Sequence, residues 1–214
     1  MEQSSFEGDA IDRILQGPKR YVNLCIVAVN VLVFFLVELT GSSEDTQHMV
    51  NWGASWLPYI LDGQYFRLFT CMFLHFGIVH LGNNMIVLLF LGDTLEQLTG
   101  HLKYGLICLG GGLVGSIASF AHAYASGEYY VSAGASGCVF AVTGALLYIV
   151  LRNRGRLGTL TVRKMIILAV LSIYNGMVSV GVDNYAHVGG FVGGFMLCVL
   201  LYRKKVSTEW EVRS

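Results

Sequence analysis

The strongest constraint on this chain is a succession of long apolar runs that carry almost no charge. A run of that length cannot be left in water. Inside a bilayer its backbone must satisfy its own hydrogen bonds, which a single segment achieves only as a helix. Six such spans can be drawn, at 21–39, 68–91, 102–123, 136–151, 165–181 and 186–202, the last two joined by a very short turn around Asp183. Hydrophobic residues make up 54% of the chain and charged residues 13%, against roughly 25% charged in an average soluble domain. The expected fold class is an all-α membrane protein with six transmembrane helices, and its expected surroundings are a lipid bilayer.

Net charge is zero, so its distribution matters more than its sum. Arg13, Lys19 and Arg20 precede the first span, and Lys103 lies between the second and third. Arg152, Arg154, Arg156, Arg163 and Lys164 lie between the fourth and fifth, and Arg203, Lys204, Lys205 and Arg213 follow the sixth. Arg67 alone falls on the other side, with Glu44, Asp45, Asp62, Glu128 and Asp183. The positive-inside rule then puts both termini in the cytoplasm, and an even number of spans agrees. The expected organisation is a short cytoplasmic lead at 1–20, one membrane domain at 21–202 and a cytoplasmic tail at 203–214. The N-terminus mixes acidic with basic residues and shows no small-residue cleavage site after an apolar core, so neither a signal peptide nor a transit sequence is expected. That favours a bacterial cytoplasmic membrane. No nucleic-acid partner is expected.

The five cysteines (Cys25, Cys71, Cys108, Cys138, Cys198) all fall within spans and form no CxxC pair. They are read as small apolar packing residues. The longest connection, 40–67, contains Trp52, Trp56, Tyr59 and Tyr65 among polar residues. Two readings stay open for it: a segment lying in the membrane interface, or aromatics capping the neighbouring spans.

Polar residues inside lipid are costly, and a few stand out. His80 and Asn84 are four apart in the second span, share a helix face, and can donate hydrogen bonds to a common point. His75 points elsewhere and is read as structural. The fourth span opens Ser132-Ala133-Gly134-Ala135-Ser136-Gly137. Small residues there permit close helix approach, which alone would explain the string. A nucleophilic role for Ser136 needs a base, and His187 at the start of the sixth span offers one. The fourth and sixth spans run in the same direction under this topology, so Ser136 and His187 sit at similar depth near the outer ends. Gly189, Gly190, Gly193 and Gly194 give the sixth span two GxxxG spacings, and hence a smooth face for close contact. No acidic residue is well placed to orient His187. Asp183 is nearest, but the turn is expected to leave it in solvent, so a serine–histidine dyad is expected rather than a triad. His80, Asn84 and the Ser136 backbone N–H could then form an oxyanion hole, in which each donor can supply about 3–4 kcal/mol.

Other constellations fail. There is no HExxH zinc motif, no GxGxxG after a strand and no Walker motif, so no metal or other cofactor is expected. Ser119 and His122 lack a glycine frame and are read as packing and interface residues. No internal repeat with paired broken helices suggests a transporter.

These residues together resemble the rhomboid intramembrane serine proteases, over roughly residues 50–202. Trp52-Gly53-Ala54 and Gly63-Gln64-Tyr65-Phe66-Arg67 look like the family's first outer loop. His75, His80 and Asn84 look like its HxxxxHxxxN pattern, Gly134-Ala135-Ser136-Gly137 like its nucleophile motif, and Ala186-His187-Val188-Gly189-Gly190 with Gly193-Gly194 like its AHxxGxxxG span. The resemblance implies a rhomboid-like six-helix bundle. It implies Ser136 as nucleophile, His187 as base and later acid, and His80 and Asn84 as oxyanion donors. It further implies Glu96 as an acidic residue holding helices together at the inner end of the second span, and Arg67 as a structural anchor of the loop. Two departures are visible. Many bacterial members carry tyrosine where this chain has Phe140, which keeps a ring to stack on the histidine. Some have Trp-Arg where this chain has Phe66-Arg67. The expected activity is cleavage of transmembrane protein substrates, within or beside their membrane spans. The competing class is a non-proteolytic rhomboid-like protein that binds transmembrane helices.

Overall fold

The structure is a computed structural model of the chain, and it describes residues 20–157, 160–178 and 183–202. The expected lead and tail fall on 1–19 and 203–214, outside the described residues, apart from Arg20. In chain order the elements are α1 (Tyr21–Thr40), α2 (Thr46–Asn51), β1 (Ser55–Trp56), α3 (Leu57–Leu61), α4 (Arg67–Thr70), α5 (Gly77–Thr99), α6 (His101–Ser126), β2 (Val131–Ser132), α7 (Ser136–Arg152), β3 (Arg156–Leu157), β4 (Leu160–Thr161), α8 (Val162–Val178) and α9 (Asn184–Leu201). The chain is mostly helical. Among the described residues α1, α5, α6 and α9 are long and apolar enough to cross a membrane. At 17 residues each, α7 and α8 reach about 25 Å at 1.5 Å per residue, just short of a ~30 Å hydrocarbon core.

Three helices, α6, α7 and α9, meet backbone to backbone. A Cβ on Gly189 would stand 3.1 Å from Gly115 Cα, and one on Gly193 would stand 2.8 Å from Val114 Cβ, both on α6. Gly190 faces α7, where a Cβ would stand 3.1 Å from Gly137 Cα, and Gly194 faces the backbone of Ala141. Each GxxxG pair of α9 thus presses on a different neighbour. The contacts on α7 advance with those on α9 (137 with 190, 141 with 194), so these two helices run parallel. Those on α6 retreat (115 with 189, 114 with 193), so α6 runs antiparallel. With lipid tails as apolar as leucine, such close approach is what holds membrane helices together.

The second expected span is displaced. The sequence suggested 68–91, whereas the helix runs from Gly77 to Thr99. Residues 67–73 form α4 and a 3₁₀ turn, and Leu74 and Phe76 are extended. Gly77, at φ +76°, then turns the chain into α5. Hydropathy alone could not separate this folded stretch from the helix that follows it. Lower down, α5 widens into a π turn at Leu88–Gly92. The Leu88 carbonyl accepts from Asn23 Nδ2 at 2.9 Å, and Asn23 Oδ1 accepts from Tyr104 Oη at 2.6 Å. A Cβ on Gly92 would lie 2.5 Å from Asn23 Oδ1, so the glycine makes room for this contact.

Glu96, 2% exposed, fastens the same end. Its carboxylate accepts from the backbone N–H groups of Val22 (3.1 Å) and Asn23 (2.8 Å) and pairs with the His101 ring. Helix α1 has no side-chain cap of its own, so a carboxylate from α5 satisfies its orphan donors and complements its dipole. Arg20 lies 2.8 Å from Asp93 beside it, badly angled for a hydrogen bond.

The connection 40–67 is a folded unit. Trp52 Nε1 donates to the Thr40 hydroxyl at 3.1 Å, tying the loop to the last residue of α1, while Tyr65 is exposed. Arg67 anchors the unit. Nη1 donates to the carbonyls of Val50 (2.6 Å) and Ala54 (3.0 Å), Nε donates to Gln64, and the guanidinium lies 4.7 Å over the Tyr59 ring. Two short antiparallel ladders, β1–β2 and β3–β4, were not foreseen. The first pairs Ser55 with Ser132 and Trp56 with Val131.

Candidate active site

Ser136 is the first residue of α7 and is half-buried, at the end of a loop held on both sides. Gly134 N–H donates to the Cys71 carbonyl at 2.9 Å, and Ala135 N–H donates to His75 Nε2 at 3.2 Å. His75 is therefore the structural histidine that the sequence suggested, and its accepting Nε2 assigns the ring proton to Nδ1. Gly134 has φ +145°. The space a Cβ would take there is bounded by His80 Nε2 at 2.9 Å and Ser136 Oγ at 3.6 Å. The His80 ring and the Ser136 hydroxyl thus border one small volume. Asn84 lies a turn further along α5, buried, with its amide donating to the His80 carbonyl at 3.2 Å. The His80 ring also meets His75 edge-on, with centroids 5.1 Å apart.

His187 enters from α9 and is 6% exposed. Its ring lies flat on Phe140, with centroids 4.4 Å apart and planes 15° apart. Phe140 is one turn after Ser136 on α7, and the Gly137–Gly190 contact brings the two backbones together between these two residues. No hydrogen bond joins Ser136 to His187 among the described residues, and the buried Nδ1 of His187 has no partner. Among the described residues no carboxylate hydrogen-bonds the ring.

Asp183 corrects the sequence reading. It does not project into solvent from the turn. Its Oδ1 accepts from Ala186 N–H at 2.9 Å, capping α9. Its Oδ2 accepts from Ser132 Oγ at 2.6 Å and from Ser119 Oγ. Ser119, read as a packing residue, is buried within this cluster, and Tyr130 Oη donates to its carbonyl at 3.2 Å. Burial pushes the Tyr130 phenol above its ordinary range, with the Asp183 charge acting in the same direction, so this hydroxyl stays a donor. His122 stacks on Tyr185 nearby. An aspartate three residues ahead of a helical Ala186 is a recognisable N-cap signal. Nothing local in the sequence points to hydroxyls 51 and 64 residues away.

Comparison with known proteins agrees with this architecture. The family model described as the rhomboid domain matches residues 62–204. The chain is 36% identical over 188 residues to the rhomboid protease GluP of Bacillus subtilis, a match covering 88% of this chain and 36% of GluP. It is 36% identical over 174 residues to RHOMBOID-like protein 7 of Arabidopsis thaliana, covering 81% and 54% of the two chains. Against the putative rhomboid protease YdcA of Bacillus subtilis, identity is 29% over 184 residues, covering 84% and 88%. The chain thus spans about a third to a half of the first two relatives and most of the third. It belongs to the rhomboid family and is an integral membrane protein.

Proposed function

We propose that this chain is an intramembrane serine endopeptidase in which Ser136 and His187 form the catalytic pair. The observation that carries the reading is the stack of His187 on Phe140, one turn beyond Ser136, together with the contact of α7 and α9 at Gly137 and Gly190. In this reading Ser136 Oγ attacks the scissile carbonyl carbon and its proton passes to His187 Nε2. The oxyanion forms in the volume beside Gly134, where His80 Nε2, the Asn84 amide and the Ser136 N–H act as donors. The C–N bond then breaks as His187 returns the proton to the leaving amine. Water, activated by the same imidazole, releases the acyl group from Ser136.

The topology proposed with it has six spans and both termini in the cytoplasm of a bacterium, so the site lies near the outer face. The substrates are transmembrane proteins whose helices unwind locally, because helical carbonyls are already hydrogen-bonded. Glycine or other helix-weakening residues near the outer leaflet are the expected feature.

The test is cleavage of a model single-span protein by the reconstituted chain beside Ser136→Ala and His187→Ala. Each variant is expected to lose about 10³-fold or more in turnover, and a fluorophosphonate is expected to label only chains that retain Ser136. Equal turnover by all three would sink the reading. The alternative is a non-proteolytic binder of transmembrane helices. It predicts binding of the model span without cleavage or labelling.

A further inference from the structure

We propose that Asp183 is the positioning residue of the Ser136–His187 pair, joining the two segments that carry them through Ser132 and Ser119. The inference rests on the protease reading above. In a triad an acid hydrogen-bonds the imidazole directly. Here the nearest acid does not touch the ring, and four other contacts do its work at the level of segments. Oδ1 caps the first turn of α9 at Ala186 N–H, one residue before His187. The Asp183 carbonyl accepts the His187 N–H at 3.2 Å, so the base sits on the turn that the aspartate begins. Oδ2 accepts from Ser132 in β2, four residues before Ser136, and from Ser119 in α6.

The geometry explains why side-chain contacts are needed at this end. Just below the site, α6, α7 and α9 are locked by glycine contacts. Above it Ser132 and Asp183 precede the first turns of α7 and α9, while α6 continues past Ser119 to Ser126. The β1–β2 ladder steadies Ser132 from one side through Ser55. Asp183 supplies the tie on the other side. The carboxylate matters here as an acceptor for three donors (one N–H and two O–H), rather than as a charge on the imidazole. An asparagine can reproduce that connectivity. Its oxygen caps Ala186, and its amide donates to the two serine oxygens once their hydroxyls rotate.

The experiment compares Asp183→Ala, Asp183→Asn and the double variant Ser119→Ala/Ser132→Ala with the parent in bilayers. It reads kcat and KM per folded molecule on the model substrate and the rate of Ser136 labelling by a fluorophosphonate. A misplacement of about 1 Å can cost on the order of 100-fold. Asp183→Ala is therefore expected to lose between about tenfold and 100-fold in kcat and in labelling rate, with KM within about twofold. Asp183→Asn is expected to recover most of the loss. The double variant keeps the α9 cap, so it tests the tie even where Asp183→Ala fails to fold, and is expected to lose about tenfold in kcat. A purely structural cap would lower the folded yield and leave turnover per folded molecule unchanged. That outcome, or a double variant with parental kcat, would overturn the proposal. So would an Asp183→Asn variant as slow as Asp183→Ala, because charge would then be the operative property. Failure of the parent itself to cleave or label would instead sink the protease reading.

Discussion

Glu96 and Asp183 are both carboxylates that cap the first turn of a helix, and they sit at opposite ends of the bundle. Their partners on α6, His101 and Ser119, are about 27 Å apart along that helix. Glu96 reaches across from α5 to the bare N-terminus of α1 and accepts from two backbone N–H groups and one ring. Asp183 caps its own helix and uses its second oxygen on hydroxyls from two other segments. The Glu96 contacts fasten a helix that carries none of the candidate site residues. The Asp183 contacts link the segments that carry Ser136 and His187. The same chemical group therefore supports stability at one end and alignment at the other, and the difference lies in what its partners are attached to.

The largest effect that would sharpen this contrast is expected from Glu96→Ala. It leaves the Val22 and Asn23 N–H groups unpaired in apolar surroundings, at about 1–3 kcal/mol each. A loss of roughly 2–6 kcal/mol in detergent unfolding is expected, with turnover per folded molecule nearly unchanged. A parallel collapse of turnover would break the contrast. Gly134→Ala should act in the opposite sense. It places a methyl group against the His80 ring at a backbone conformation that disfavours side chains. Turnover is expected to fall about 100-fold, equivalent to about 2.7 kcal/mol of transition-state stabilisation, with a smaller loss of stability. Parental kinetics would show that the volume beside Gly134 is not used. The smallest effect is expected from Tyr104→Phe, which removes the donor to Asn23 Oδ1 and should cost about 1 kcal/mol in unfolding without altering kinetics.

Hydropathy and small-residue spacing make most of the helices legible, along with the smooth GxxxG faces of α9. Each of these depends on a pattern within about twenty residues. The misread features depend on partners far away in sequence. Residues 68–76 are apolar because the folded loop packs against the bundle, and hydropathy cannot tell that from a helix in lipid. The π turn at Leu88–Gly92 packs against Asn23, 65 residues away, whose amide donates to the Leu88 carbonyl beside the helix's own Asp93 N–H. Asp183 reads from the sequence as a solvent-facing turn residue because its two hydroxyl partners lie 51 and 64 residues away. Phe140 was legible as a ring for His187 only through the family resemblance.

The backbone contacts among α6, α7 and α9 also bear on how the protein meets membranes of different thickness. Gly190 against Gly137 and Gly194 against Ala141 leave no side chain between the helices to rearrange, so a slip of one residue, about 1.5 Å, would drive backbone into backbone. A thinner or thicker bilayer is accommodated by tilting these helices together rather than by shearing them. Mismatch therefore changes the depth at which Ser136 and His187 lie in the bilayer, and leaves the packing of the helices that carry them as it was.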